Sequence, residues 1–375
     1  MEKYDVIVAG GGISGSRAAS IAAGCGLRTL LLEKFKTPRN KACSGIQFTY
    51  FEKLVGSKIP PEKLCRNELS KIEMILPSGK VLRLKMKMLN FVRQTFDSWL
   101  NSEAVKAGAE FRDETALEDF YDEAGIFAVR LQGKEGLEEV VHTKYLIDAE
   151  GTMSKIRMKL RPADYEIKKS AGATINYYID GEGDLDENTL YMFYRREFCP
   201  MMFAWVYKKD SLWVVGTGAD VNPLPYARRF LDHVKQTYHL NGQVVRTEGY
   251  SSTFNGGVYL GEGNLLLVGD AAGLIDAYRG MGMDAAALSA IYAVKAIVQS
   301  NKNGCPPIDA YTKSMSKIAR QIERNKEKQA SRFASDSGLE QSMSVGSMLK
   351  GGLGILLGNQ LNKVLPPERV MLLPP

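Results

Sequence analysis

Tyr4-Asp5-Val6-Ile7-Val8-Ala9 runs straight into Gly10-Gly11-Gly12-Ile13-Ser14-Gly15, and an alanine-rich stretch from Ser16 to Ala23 follows. The apolar run reads as a strand and the alanines as a helix. The three spaced glycines between them form the G-x-G-x-x-G turn of a dinucleotide-binding β-α-β unit. Each glycine has its own reason. Gly10 permits the tight turn, Gly12 lets the backbone approach a pyrophosphate, and Gly15 lets helix and strand pack closely. The helix start, with Ser14 in it, offers free N–H groups and a positive dipole end to the phosphates. A second apolar run, Thr29-Leu30-Leu31-Leu32, ends in Glu33, an acid placed to accept hydrogen bonds from an adenosine ribose. That acid disfavours a 2′-phosphate, so the expected nucleotide is FAD or NAD rather than NADP.

Two more segments stand far from the first. Leu265-Leu266-Leu267-Val268-Gly269-Asp270-Ala271-Ala272-Gly273 continues to Gly280-Met281-Gly282-Met283-Asp284 and an alanine-rich helix through Val298. Tyr145-Leu146-Ile147-Asp148-Ala149-Glu150-Gly151 is followed by Ser154 and Arg157. Periodicity alone makes these buried strands and turns. Taken with the first segment, they resemble the p-hydroxybenzoate-hydroxylase-like flavoprotein superfamily, which has Asp-Gly where this chain has Glu150-Gly151. Arg93-Gln94-Thr95-Phe96-Asp97-Ser98-Trp99-Leu100 resembles that family's R-x-x-F-D-x-x-L helix.

The resemblance implies an α/β fold: a Rossmann-like FAD-binding domain with an inserted, mostly antiparallel β-sheet substrate domain, and an α-helical C-terminal part. The expected FAD domain is discontinuous, covering 1–70, 88–165 and 255–335. Residues 71–87 and 166–254 are expected to form the substrate domain and 336–375 a tail. FAD is the implied cofactor. The implied FAD-binding residues are Gly10, Gly12, Ser14, Gly15, Glu33, Lys34, Cys43, Ser44, Gly45, Arg93, Ala116, Gly269, Asp270, Gly280, Gly282 and Met283.

Which flavoenzyme this is turns on two further stretches. Asn40-Lys41-Ala42-Cys43-Ser44-Gly45 follows the first β-α-β unit. A cysteine there could pack as a small apolar residue or sit beside the isoalloxazine ring. Resemblance to geranylgeranyl reductases, which carry a Cys-Gly-type element in this loop, points to the second reading. It makes Cys43 the catalytic candidate, in a proton-relay role. Pro200-Met201-Met202-Phe203-Ala204-Trp205-Val206-Tyr207-Lys208 is similar to their P-x-x-Y-x-W-x-F-P strand, with Phe203 and Tyr207 exchanged for Tyr and Phe and the last proline missing. Phe203, Trp205 and Tyr207 share one strand face by their period of two. They are the expected substrate-binding wall, against an ordinary sandwich core as the alternative.

The resemblance therefore implies an FAD-dependent oxidoreductase that reduces carbon–carbon double bonds of an apolar, isoprenoid (geranylgeranyl-type) substrate by hydride transfer from reduced flavin. Two rivals share the cofactor. One is an FAD-dependent monooxygenase or halogenase, although the halogenase W-x-W-x-I-P pattern is absent. The other is a membrane-associated electron-transfer flavoprotein, although clustered cysteines for an iron–sulfur domain are lacking. No second G-x-G-x-x-G dedicated to NAD(P)H is visible, which leaves transiently bound NAD(P)H or a protein donor as the electron source.

Composition narrows the surroundings. The chain has 375 residues, 45% hydrophobic and 25% charged, enough for a large buried core. Its net charge of +6 is mildly basic, compatible with anionic substrates or an anionic membrane surface and too weak to argue nucleic acid. Five cysteines without C-x-x-C spacing suggest neither a disulfide framework nor a metal site, so a reducing, cytoplasmic setting is expected. There is no secretory signal pattern, and no apolar run of about 18 residues to span a bilayer. Three histidines, His142, His233 and His239, lie outside the motifs and are expected at the surface. Residues 308–335 read as a polar helix rich in Lys and Arg. The tail from Met343 to Leu365 is apolar and glycine-rich. Helix and tail together suit peripheral membrane contact, with burial of the tail's leucines against the substrate domain as the alternative.

Overall fold

The computed structural model describes residues 3–166, 172–219, 222–252, 254–276, 278–342 and 366–372. The strands are β1 (Lys3–Ala9), β2 (Thr29–Leu32), β3 (Ile46–Phe48), β4 (Leu69–Ile75), β5 (Val81–Asn90), β6 (Glu110–Arg112), β7 (Ala116–Glu123), β8 (Ile126–Gln132), β9 (Glu138–Asp148), β10 (Gly172–Asp180), β11 (Thr189–Phe193), β12 (Ala204–Lys209), β13 (Leu212–Ala219), β14 (Gln243–Ser252), β15 (Gly261–Glu262) and β16 (Leu265–Leu267). The helices are α1 (Ile13–Gly24), α2 (Phe51–Val55), α3 (Arg93–Lys106), α4 (Lys155–Leu160), α5 (Leu224–Thr237), α6 (Met283–Asn303), α7 (Pro307–Arg332), α8 (Asp336–Ser342) and α9 (Pro367–Met371).

The first sheet has the order β15-β16-β9-β1-β2-β6, and its β16-β9-β1-β2-β6 part is parallel. Such a sheet is covered on both faces, so its strands read as continuous apolar runs. Every residue of β2 and of β16 is buried accordingly. Alanines make the neighbouring helices thin: α1 buries Ala18, Ala19 and Ala22, and α6, which packs on it, buries Ala287, Ala290 and Ala293. The three motif segments end side by side because β16, β9 and β1 are neighbours in register. Val8 pairs with Ile147, and Ile147 with Leu266.

The second sheet runs β14-β10-β13-β12-β11-β4-β5-β3. It is antiparallel throughout except for the β11–β4 pairing. Most of it comes from the long stretch between β9 and β15, with β3, β4 and β5 contributed from before α3. Alternation along its strands separates two faces. One carries Ile179, Tyr191, Phe193, Val206, Trp213 and Val215 and is closed by Phe230 and Val234 of α5. The other carries Ile72, Met86, Met88, Tyr178, Tyr207 and Val214, with half-buried Met74, Leu84, Leu190, Met192 and Trp205 beside them. The chain thus has the Rossmann-like domain, the inserted antiparallel sheet and the helical C-terminal part. Residues Met343 to Leu365 lie outside the described residues. Among the described residues, no helix is long and apolar enough to cross a membrane.

Candidate functional site

The glycine turn is a place where side chains do not fit. A Cβ on Gly10, whose φ is +111°, would lie 2.4 Å from the Ala149 carbonyl oxygen, and one on Gly15 would lie 1.8 Å from the Gly10 oxygen. Gly12 starts α1 with no side chain capping it and no acid in the first turn, so the helix start is open to an anionic group. Gly269, at φ +58°, brings the distant motif onto this turn: its Cβ would meet Ser14 Oγ at 3.0 Å, and its N–H donates to Ser289 Oγ at 3.0 Å. Asp270 Oδ1 would lie 3.5 Å from a Cβ on Gly282, the residue that caps α6. Turn, helix start and acid fit a bound dinucleotide.

Glu33 is buried, but its carboxylate is engaged. Arg39 Nε donates to Oε2 at 2.7 Å, and the Phe35 N–H donates to Oε1 at 3.1 Å. The same guanidinium reaches Asp97 Oδ2 at 3.4 Å and would lie 3.4 Å from a Cβ on Gly12. Asp97 also holds Arg93 by two hydrogen bonds of 2.7 and 2.8 Å. Burial works against charge on Arg93, but Asp97 and, next, the Cys43 sulfur outweigh it and raise its pKa. Four residues further along α3, the Asn101 amide, turned to suit its neighbours, donates to Gly11 O at 2.9 Å, Ser16 Oγ at 2.6 Å and Asp97 O at 3.0 Å. Helix α3 therefore supports the glycine turn from below. Thr115 N–H donates to Glu33 O, which sets Ala116 beside this acid, whereas Lys34 is exposed with its ammonium 5.1 Å from the Phe35 ring centroid.

The Glu150-Gly151 departure has a physical account. Glu150 Oε2 accepts the N–H groups of Lys155 (2.9 Å) and Ile156 (3.3 Å), so the longer side chain reaches round to the start of α4. Ser154 caps the same helix by accepting the Arg157 N–H, and its hydroxyl donates to Asp148 at 2.5 Å. Burial, then the charge of Glu150, raises the pKa of the Asp148 carboxyl. Arg157, 1% exposed, donates to Asp164 Oδ2 and to the carbonyls of Ala271 and Gly257, each at 2.7–2.9 Å. It ties α4 to the Gly269–Gly273 segment. Burial alone would raise the Asp164 pKa; Arg157 overrides it and holds it below the ordinary range.

Cys43 is half-buried, with its sulfur 3.9 Å from Met283 Sδ at the first turn of α6 and beside Arg93. The loop is pinned at Gly45, whose φ is +57° and whose Cβ would lie 2.0 Å from Phe91 O. Phe91 N–H donates to Gly45 O at 2.9 Å, and Ser44 Oγ accepts the Ile46 N–H at 3.4 Å. Beneath the loop is a buried ammonium, Lys209, bound to Asn90 Oδ1 at 2.9 Å and Phe91 O at 2.6 Å. Burial lowers its pKa.

The segment just before β12 meets this assembly at Gly280; Phe203 precedes the strand, so of the three expected aromatics Trp205 and Tyr207 share its face. Gly280, at φ +66°, would place a Cβ 2.9 Å from Met202 Cε and 3.3 Å from Phe203 Cζ. Phe203 packs edge-on to Trp205 at 6.2 Å, and Trp205 Nε1 donates to Asn176 Oδ1 at 2.8 Å. A Cβ on Gly216 would sit 2.1 Å from that indole nitrogen. Phe203 and Trp205 keep exposed surface, but Tyr207 has none, and its hydroxyl finds no partner among the described residues. The open face around Trp205 is unusually soft, with Met74 and Met192 half-buried and Met86 and Met88 beneath them.

Some residues of the site were not reached from sequence. Arg39 gave no signal, because only the fold returns it to Glu33. Asp97 and Asn101 had one: with Arg93 they form a polar period of four on a helix whose buried face is otherwise Phe96, Trp99, Leu100 and Ala104. The histidine expectation needs correction. His142 is buried within β9, and His233 is half-buried with its ring 4.7 Å from Phe198; only His239 is exposed. Among the described residues no His, Cys, Asp and Glu group could hold a metal ion.

Comparison with known proteins agrees with this geometry. The FAD binding domain family model matches residues 71–326. A digeranylgeranylglycerophospholipid reductase of Methanothermobacter thermautotrophicus is 30% identical over 324 residues, covering 80% of each chain. The crystal structure of a geranylgeranyl bacteriochlorophyll reductase-like protein from Thermoplasma acidophilum superposes with a TM-score of 0.79 at 23% identity, over 97% of this chain and 100% of that one. An FAD complex of the halogenase PltM gives 0.73 at 14% identity, over 98% and 85%.

Proposed function

This chain belongs to the geranylgeranyl reductase-like family of FAD-dependent oxidoreductases, and on that premise we propose that it reduces isolated carbon–carbon double bonds in an isoprenoid chain of the geranylgeranyl type. The observation that carries the reading is the junction at Gly280. There the half-buried apolar face of the second sheet, through Met202 and Phe203, meets the glycine-rich loop of the flavin motif.

Gly10, Gly12, Gly15, the start of α1 and Glu33 would hold FAD, with Asp270, Gly282 and Met283 at its other end. Bound and reduced, the flavin supplies a hydride to one alkene carbon. An isolated alkene has no carbonyl to polarise, so the protein acts by positioning and by excluding water. Phe203, Trp205, Leu190 and Met192 do both, since they offer the chain apolar surface and no competing hydrogen bonds. Asn176 fixes the indole of Trp205 by its ring N–H. Cys43 Sγ, beside Met283 and Arg93, holds the proton for the second alkene carbon. Lys209 keeps its loop in place from beneath by binding Asn90 and Phe91 O.

The test is anaerobic. Chemically reduced holoprotein is mixed with geranylgeranyl diphosphate or a geranylgeranylated glycerophospholipid, and the products are weighed by mass spectrometry. The expected result is reoxidation of the flavin with a gain of two hydrogens per double bond. An unchanged lipid, or a hydroxylated or halogenated product formed only in air, removes the reading in favour of oxygen chemistry.

A further inference from the structure

Helix α7 carries a charge pattern that the fold itself does not use. Lys313, Lys317, Arg320, Arg324 and Lys328 are all exposed and recur at intervals of three and four residues. They form one stripe about 22 Å long at 1.5 Å per residue, opposite the buried Tyr311, Met315, Ile318, Ile322 and Asn325. Among the described residues none of the five is paired with an acid, and the side-chain donor bond given for Arg320 goes to the Ser316 carbonyl within the helix. The acids of α7 do not neutralise them. Glu323 turns inward to the Val258 N–H at 2.7 Å, which leaves two exposed acids on the stripe side, Asp309 in the first turn and Glu327, against the five cations. Residues 343–365, which follow α8, contain no Asp or Glu in their sequence.

Like charges at i,i+4 repel, and this stripe contains three such pairs: 313–317, 320–324 and 324–328. Asp309 and Glu327 offset only part of this repulsion, because two exposed acids face five cations. An outside surface of opposite sign would relieve it. The stripe ends at Lys328, next to Gln329 and one turn before Arg332. Gln329 donates to Met201 O at 2.9 Å, and the Arg332 guanidinium lies over the ring of Tyr194, itself 5.4 Å from Phe203. The basic face therefore runs up to the segment that carries the aromatic wall.

We propose that the α7 stripe is the docking face of this protein for an anionic lipid bilayer. Charge complementarity supplies the attraction, and each cation near such a surface strengthens binding about fivefold. The choice of a membrane over other polyanions rests on the proposed function: an isoprenoid lipid is delivered from a bilayer, not from water. The attraction is electrostatic and screened by salt.

The experiment uses full-length holoprotein and vesicles of phosphatidylcholine, with or without phosphatidylglycerol, in a flotation assay. Flotation is expected with the anionic vesicles at low salt, little with the zwitterionic ones, and loss as salt rises. Replacing the five stripe residues by Gln should lower anionic-vesicle binding at least about a hundredfold. A control with five exposed lysines replaced elsewhere (Lys58, Lys80, Lys85, Lys134, Lys302) has the same net charge and should still float. Flavin absorbance and melting temperature of each variant verify folding. Equal flotation of the stripe variant and the wild type overturns the proposal. So does absence of flotation, or stripe-dependent capture of an acidic electron-carrier protein without vesicle binding. If the stripe binds vesicles but no isoprenoid is reduced in detergent, the docking face stands and the proposed function falls; the reverse outcome separates them the other way.

Discussion

The two sheets build their halves of the site by opposite means. In the first, the site is made by missing atoms: Gly10, Gly15 and Gly269 stand where any Cβ would strike backbone or a packed neighbour. In the second, it is made by bulk, from Met74, Leu190, Met192 and Trp205 on a pleated face and Phe203 just before β12. A site made by missing atoms admits one residue type per position. A site made by bulk admits many, provided volume and polarity are kept. The first half should therefore fail abruptly under substitution and the second gradually.

The sharpest break is Gly15→Val, which drives a side chain into the Gly10 carbonyl. We expect a loss of about 3 kcal/mol or more and a protein that emerges colourless from purification, read by visible absorbance and urea denaturation. Next comes Arg157→Met, which leaves Asp164 with only the longer 3.4 Å contact to half-exposed Arg161 and frees the Ala271 and Gly257 carbonyls; about 3 kcal/mol should be lost at neutral pH. The pH dependence has a definite sign. In the wild type the Asp164 pKa is depressed, so its contribution is present above about pH 4 and is lost as pH falls through the folded value. In the variant only Arg161 still opposes burial, so the depression is weaker and the penalty should ease toward acid. Urea melts between about pH 4 and pH 7 would show the difference between the two proteins shrinking at low pH.

On the second sheet the effects should be smaller and should fall on substrate. Gly216→Ala displaces the Trp205–Asn176 pair, and Trp205→Ala removes it. Each should lower alkene reduction about tenfold or more while leaving flavin content unchanged, as expected when oriented contacts are lost. If either released FAD, the division of labour between the sheets would be wrong. The smallest effect belongs to Tyr207→Phe. The hydroxyl it removes is buried and has no partner among the described residues, so stability should rise or stay within about 1 kcal/mol. A large loss would mean that the oxygen is hydrogen-bonded in solution.

The same contrast explains what was legible in the sequence. A steric demand that only glycine meets is written in one letter, so the turn at Gly10–Gly15 could be read directly, whereas the Gly269-Asp270 segment took its meaning from the resemblance to flavoproteins. The alternation of Trp205 and Tyr207 could be read too, but neither the start of the strand after Phe203 nor its depth: period two assigns a face, while burial of Tyr207 depends on Met86, Met88 and Val214 from other strands. Polar partnerships across the fold were least visible. Arg39 is six residues from Glu33 and could equally have been a solvated loop cation. The capping by Glu150 depends on where α4 begins, which no local pattern announces.

The methionines of the open face have a consequence for turnover. A polyene is kinked and stiff at each double bond and grows more pliant with every one that is saturated, so an enzyme acting on such a chain repeatedly would meet a differently shaped guest each time. Thioether side chains are unbranched and polarizable and can refit to each at little cost, whereas a wall of β-branched residues would suit one shape and reject the next. The same softness is a chemical liability. Oxidation of Met74 or Met192 to the sulfoxide would turn the lining polar and cost this face its fit for an apolar guest.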